Sequence, residues 1–259
     1  MMRRPNGAVL IVLALVLIPG AGRAADFTDV VARMKGSVVG VGSYQELRRP
    51  PAKLFGTGFA AIDGSYVITN EHVVGSELDA AQDETWCIFV GSGQSARMIP
   101  VKKVAEDADN DIAILKFEGA KLAPVKFGDT RKVVDGQRIA FTGYPIGAVL
   151  GLYPVTHQGI VSARTPMAIP QQTPQSLTPD MIKRLRTNYD VFQLDATAYP
   201  GNSGSPMYDQ ATGEVYGIIS SVFVKRTKEK VLSDPSGITY VVPIDRVEEL
   251  LQRVGLMRK

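Results

Sequence analysis

The feature that most constrains this chain is its punctuation. Short apolar, β-branched or aromatic runs recur along it, each cut off by Gly, Asp, Asn or Ser. Residues 37–44, 58–62, 66–69, 86–90, 98–104 and 112–117 form one set, and 138–142, 159–163, 191–194, 214–220 and 238–242 a second. Runs this short are strands, and many strands spaced by turns imply a sandwich or barrel architecture. The stretch 121–136, with two Gly, one Pro and several charges, reads as a connector between the sets. One helix is well signalled. Pro243 stands at its start, Val247, Leu250, Leu251 and Val254 follow helical spacing, and Gly255 stops it. Residues 25–34 read as a short leading helix, and residues 164–189, with four prolines and little periodicity, as a long functional or tolerated insertion.

The N-terminus reads as an address. Arg3 and Arg4 supply positive charge, 8–18 is an unbroken run of 11 apolar residues, and Gly22 and Ala24 are the small residues of a cleavage site. The expectation is a bacterial secretory signal over residues 1–24 and a periplasmic or secreted mature chain, with an uncleaved anchor as the alternative. A spanning helix needs about 20 apolar residues, so the run is short for an anchor. Of 29 Lys and Arg, Arg3, Arg4 and Arg23 leave with the signal, so 26 basic side chains face 26 acidic ones. With no basic excess, no nucleic-acid partner is expected, and none with the membrane after cleavage. The basic stretch 225–230 reads as a solvated loop tip. One cysteine, Cys87, excludes an internal disulfide, and two histidines beside it are too few for a four-ligand structural zinc site. No metal or other cofactor is expected.

Three islands carry chemistry. Gly201-Asn202-Ser203-Gly204-Ser205-Pro206 surrounds a serine with glycines, which let the backbone turn sharply and aim successive N–H groups into one hollow. Thr69-Asn70-Glu71-His72-Val73-Val74 ends an apolar strand with a histidine, and Asp109-Asn110-Asp111-Ile112-Ala113-Ile114-Leu115 opens one with acids. Singly, these read equally well as a hairpin, a structural histidine and a turn-forming carboxylate. Together they supply a nucleophile, a base and an orienting acid, the requirement of nucleophilic acyl transfer. Gly56-Thr57-Gly58-Phe59 continues into a strand rather than a helix, against a dinucleotide-binding reading.

In this order the three islands resemble the chymotrypsin-fold serine proteases, and within them the disulfide-free bacterial HtrA-type (Do-like) branch. The resemblance extends through Phe55-Gly56-Thr57-Gly58-Phe59, Val155-Thr156-His157-Gln158-Gly159-Ile160-Val161-Ser162-Ala163, Phe192-Gln193-Leu194-Asp195-Ala196 and Gly237-Ile238-Thr239-Tyr240-Val241-Val242-Pro243-Ile244. It implies an all-β fold of two six-stranded β-barrels with a C-terminal helix, the site lying between them. Residues 25–125 would carry His72 and Asp111, and residues 126–259 Ser203. It implies Ser203 as nucleophile, His72 as base and then acid, and Asp111 as orienting acid. Asp107 and Asp109 compete for that last role, and Asp111 is preferred because the family's acid directly precedes the Ile-Ala-Ile-Leu strand. The oxyanion hole would be Gly201, Asn202 and Ser203, with the N–H groups of Gly201 and Ser203 as donors. His157 is read as structural.

By the same resemblance the substrate pocket is Thr197, Ala198, Tyr199, Ser220, Ser221 and Val222. Thr197 is no acid, against a preference for Lys or Arg, and Ile219 stands where glutamyl endopeptidases have a histidine. Small or medium apolar side chains are the expectation. The resemblance further implies misfolded or exposed polypeptides as substrates and a homotrimer as the assembly. The chain ends at Lys259, so no PDZ domain is expected, and the insertion 164–189 is expected to gate the site. Tyr199-Pro200 beside the oxyanion loop either preorganises the hole or holds it inactive. The alternative function is a triad-bearing protein that is silent and chaperone-like, or latent until activated.

Overall fold

The computed structural model describes residues 26–119, 121–145, 151–166, 189–220 and 238–257. The signal segment, most of the insertion 164–189, the basic stretch 225–230, Ser221 and Val222 lie outside the described residues. Helix α1 (Phe27–Ser37) starts at Asp26, whose side chain accepts from the Thr28 N–H. Seven strands follow: β1 (Val38–Tyr44), β2 (Ala52–Ala61), β3 (Tyr66–Thr69), β4 (Thr85–Val90), β5 (Arg97–Pro100), β6 (Lys102–Asp107) and β7 (Ile112–Lys116). They form one antiparallel sheet in the order β5-β4-β1-β2-β3-β7-β6.

The strand expected over 98–104 divides at Val101, because the Val101 N–H donates to the Trp86 carbonyl. Its halves β5 and β6 are the two outer strands, so the chain itself carries one edge of the sheet round to the other. The second set is a closed barrel, β10-β13-β12-β11-β8-β9. Its strands are β8 (Arg138–Gly143), β9 (Val155–Pro166), β10 (Asp190–Asp195), β11 (Pro206–Asp209), β12 (Val215–Ser220) and β13 (Ile238–Pro243). The expected two-barrel all-β architecture is therefore the one adopted. Strand β11 is the addition, a four-residue strand opened by Pro206 at a position where no ladder N–H is missed.

Most strands read as near-continuous apolar runs because both their faces are buried. On β7, Ile112 and Ile114 point into a cluster between the two sheets, while Ala113 and Leu115 point into the first barrel. On β13, Val241 fills the second barrel and Val242 joins the cluster between the sheets. That central cluster also takes Val30 and Met34 of α1 and Ile244, Val247, Leu250 and Leu251 of the C-terminal helix α2 (Ile244–Arg253). Truncating one such Ile or Leu to Ala costs about 2–5 kcal/mol. Helix α2 ends as its sequence dictates: Gly255 takes φ +75°, and the Gly255 and Leu256 N–H groups return to the Gln252 and Leu251 carbonyls.

Candidate active site

His72 lies in the single 3-10 turn Glu71–Val73 that follows β3, and Asp111 immediately precedes β7. Strands β3 and β7 are hydrogen-bonded neighbours, with Thr69 opposite Ala113, so the register itself brings the two residues together. Asp111 adopts φ +55°, a conformation that costs most side chains about 1–2 kcal/mol but that Asp and Asn tolerate. Its backbone carbonyl accepts from Asn70 Nδ2 at 2.9 Å. Its carboxylate, in a residue 4% exposed, accepts from His72 Nδ1 at 2.9 Å to each oxygen and from the His72 backbone N–H at 3.0 Å. It also accepts from Ser220 Oγ at 2.7 Å.

A carboxylate only accepts, so His72 carries its proton on Nδ1 and leaves the Nε2 lone pair as a base. Asp107, the first competitor for this role, is engaged elsewhere. It takes the Asn110 backbone and side-chain N–H groups and Arg253 Nη2 of α2. Burial opposes its ionisation, yet the hydrogen bonds from Arg253 and Asn110 outweigh that and hold its carboxyl below the usual range. The ring's Nδ1 bonds go to Asp111, the acid preferred over Asp109.

Ser203 follows a four-residue turn, Tyr199–Asn202, closed by the Asn202 N–H on the Tyr199 carbonyl at 2.9 Å. Pro200 at the second position fixes φ near −65°, and Gly201 at the third takes φ +99°. That combination is a type II turn, which requires glycine at its third position and favours proline at its second. The turn closes through Asn202 and not through the N–H groups of Gly201 or Ser203, the two donors expected of an oxyanion hole. Past Ser203, Gly204 takes φ +88° and its N–H reaches the Ile219 carbonyl. A Cβ at Gly204 would run into the Thr57 carbonyl oxygen, so the backbone here admits no side chain. The same stretch docks on β2 through Thr57, whose N–H donates to the Ser203 carbonyl at 2.8 Å. Ser203 is 2% exposed, recessed between the two sheets.

Of the residues expected to line the pocket, Thr197, Ala198 and Tyr199 stand on the loop after β10. Thr197, Ala198 and Tyr199 are half-buried, and Ala196 and Ala198 pack against the core of the second barrel. Thr239 on β13 pins this loop: its hydroxyl donates to the Ala196 carbonyl at 2.6 Å and accepts from the Ala198 N–H at 3.1 Å. Ser220, also expected in the pocket wall, gives its hydroxyl to Asp111. His157 stacks on its cross-strand neighbour Phe141, with ring centroids 4.8 Å apart, and lies against Tyr199 at 6.0 Å. Its Nε2 is 3.4 Å from Asn202 Nδ2, so it flanks both ends of the Tyr199–Asn202 turn. Burial pushes its imidazole below the ordinary value. Thr57, Thr239 and the Asp111-directed role of Ser220 carry no local sequence signal, because each hydroxyl finds its partner only after the two sheets meet.

Comparison with known proteins agrees with this geometry. A model of the trypsin-like peptidase domain matches residues 56–218. The "Probable periplasmic serine endoprotease DegP-like" of Pseudomonas putida (strain GB-1) is 33% identical over 198 residues, covering 76% of this chain and 34% of that protein. The "Serine protease Do-like HtrB" of Bacillus subtilis (strain 168) is 27% identical over 249 residues, covering 89% of this chain and 47% of that one. The chain thus spans between a third and a half of the length of these relatives. Among solved structures, "HtrA-type protease AlgW with tripeptide" has a TM-score of 0.61 at 22% identity, over 88% of this chain and 63% of that chain, a likeness of fold. Disulfide-free barrels, a His–Asp pair from one sheet and a glycine-framed serine from the other place the chain in the trypsin-like peptidase family, in its bacterial HtrA-type branch.

Proposed function

We propose that this protein is an exported serine endopeptidase of the bacterial periplasm that cleaves exposed segments of unfolded polypeptides. The observation that carries the reading is the buried carboxylate of Asp111, which accepts His72 Nδ1 and Ser220 Oγ and so fixes one tautomer of His72. Ser203 Oγ attacks the scissile carbonyl while His72 Nε2 takes its proton. Asp111 steadies the resulting imidazolium, and the Gly201 and Ser203 N–H groups receive the oxyanion. His72 then protonates the departing amine, and a water repeats the sequence to release the acyl group. The type II turn at Pro200-Gly201 supports a preorganised oxyanion loop over a blocked one. The half-buried wall of Thr197 and Ala198 favours small or medium apolar side chains before the cut.

The test is intact mass after exposure to a fluorophosphonate, wild type beside Ser203→Ala, followed by profiling on a peptide library. One adduct per wild-type chain and none on Ser203→Ala is expected, with cleavage after small apolar residues. An unmodified wild type at every reagent concentration would overturn the reading in favour of a silent, client-binding protein.

A further inference from the structure

Three of the four polar functions of Thr57 tie the first sheet to the second, and the fourth is held within its own sheet. Thr57 is 0% exposed and sits mid-strand on β2. Its N–H donates to the Ser203 carbonyl at 2.8 Å, and its carbonyl accepts from Thr69 Oγ1 at 2.7 Å. Its hydroxyl donates to the Gly201 carbonyl at 2.7 Å and accepts from the Tyr144 N–H at 3.0 Å. One residue of the first sheet thus holds the carbonyls on either side of the Asn202–Ser203 step in the second. A peptide group is planar, so fixing the Gly201 carbonyl also fixes the Asn202 N–H that closes the turn. With Pro200 restricting the other side, the Gly201 peptide has no freedom left to rotate.

We propose, resting on the endopeptidase reading above, that the Thr57 hydroxyl is a positioning group for the oxyanion turn. It touches neither substrate nor reacting atoms. It acts by holding the Gly201 carbonyl so that the Gly201 and Ser203 N–H groups face the transition-state oxygen. Binding of ground-state substrate makes little use of those N–H groups, so the loss falls on kcat rather than on KM.

The test compares wild type with Thr57→Val, which keeps the shape and removes the hydroxyl, Thr57→Ser, which keeps the hydroxyl, and Thr57→Cys, a weaker donor. Each is assayed for kcat and KM on a cleavable peptide. Each is also assayed for affinity to a peptide boronic acid, which forms a tetrahedral adduct, and to the matching product peptide, which does not. Removing one oxyanion donor outright costs about 100–1000-fold in rate, so a donor left in place but loosened is expected to cost about 10–100-fold. Thr57→Val should therefore lose about that much in kcat, with KM within about threefold, boronate affinity falling in parallel and product affinity unchanged. Thr57→Ser should recover to within about threefold of wild type, with Thr57→Cys between them. If Thr57→Val does not fold, the Ser and Cys variants decide the matter by the same ratio.

Undiminished kcat in folded Thr57→Val would overturn the role of Thr57 and leave the endopeptidase reading intact. So would equal losses in boronate and product affinity, or a Thr57→Cys variant equal to Thr57→Ser. A wild type that cleaves nothing and takes no fluorophosphonate would overturn both.

Discussion

Replacing Gly204 by Ala tests the claim that the nucleophile loop sits at backbone contact on the first sheet. The added Cβ would overlap the Thr57 carbonyl oxygen and stand 2.6 Å from Thr69 Oγ1 and 2.9 Å from the Thr57 carbonyl carbon. Backbone has no rotamer with which to retreat, so β2 or the loop must move. Movement breaks the Thr57 N–H to Ser203 bond and the Thr69 to Thr57 bond, and disturbs Gly204 to Ile219. Two buried bonds lost at about 1–1.5 kcal/mol each, with about 1–2 kcal/mol for a non-glycine at φ +88°, come to about 3–5 kcal/mol. That is a large part of the roughly 5–15 kcal/mol that holds a typical domain together. At about 2–4 °C per kcal/mol for a chain of this size, Tm should fall by about 6–20 °C. The control is Gly255→Ala, at φ +75° with nothing within 4 Å of its Cβ, which should lose only the conformational part of about 1–2 kcal/mol. Urea unfolding followed by circular dichroism gives both numbers. Equal destabilisation of the two variants would refute the close approach and leave only backbone strain.

Asp111→Asn keeps the size of the side chain but replaces one of the two accepting oxygens by an NH2 donor, which must face either the His72 N–H groups or Ser220 Oγ, so kcat should fall about 10,000-fold with the circular dichroism spectrum unchanged. His157 has its folded pKa depressed below 6.5 by burial, so the unfolded chain binds more protons between that depressed value and 6.5. Wild type should therefore lose stability as pH falls below about 6.5, and a urea series on His157→Phe should show a shallower loss over the same window. Cys87 is fully buried and burial pushes its thiol up to about 12, so Ellman's reagent should titrate it only at the rate of unfolding. Ile114→Ala and Leu115→Ala should each cost about 2–5 kcal/mol, but only the first, which opens the core between the sheets, should lower kcat at a temperature where both are folded.

What could be read from the chain follows from where each signal is local. The runs 66–69, 112–117 and 138–142 match β3, β7 and β8 to within a residue at each end, because strands buried on both faces stay apolar until the turn. The turns that carry His72, Asp111 and Ser203 were legible because the residues beside them along the chain build those turns. Strand β11 was not, since Pro206 and the glycines before it read as loop, and the break at Val101 was not, since Trp86 lies a strand away. The choice between Asp107 and Asp111 turns on Arg253, 146 residues further along, and Thr57 meets Gly201 across 144 residues. A buried threonine in a strand looks like any other until its partner is known.

The division of the site between two sheets sets what its geometry depends on. His72 and Asp111 are fixed to each other by the pairing of β3 with β7, so their relation survives anything that leaves the first sheet intact. Ser203 is fixed to the second barrel through Gly204 and Ile219, and through the bond from the Ile219 N–H to the Ser205 carbonyl. The polar links near the site that join these halves include Ser220 to Asp111, and Thr57 to Gly201, to Ser203 and to Tyr144. Each is worth about 1–3 kcal/mol, too little to set the orientation of two sheets by themselves. The orientation comes from the apolar cluster between them, where Phe59, Ile68, Ile112 and Ile114 of one meet Ala140, Tyr208, Val215 and Ile218 of the other. The core sets how far apart the two sheets stand, and with it Ser203 from His72, while the polar links adjust the angle. Dense packing tolerates few intermediate positions, so displacing the core should remove activity in a step, whereas removing one link should lower it by a factor.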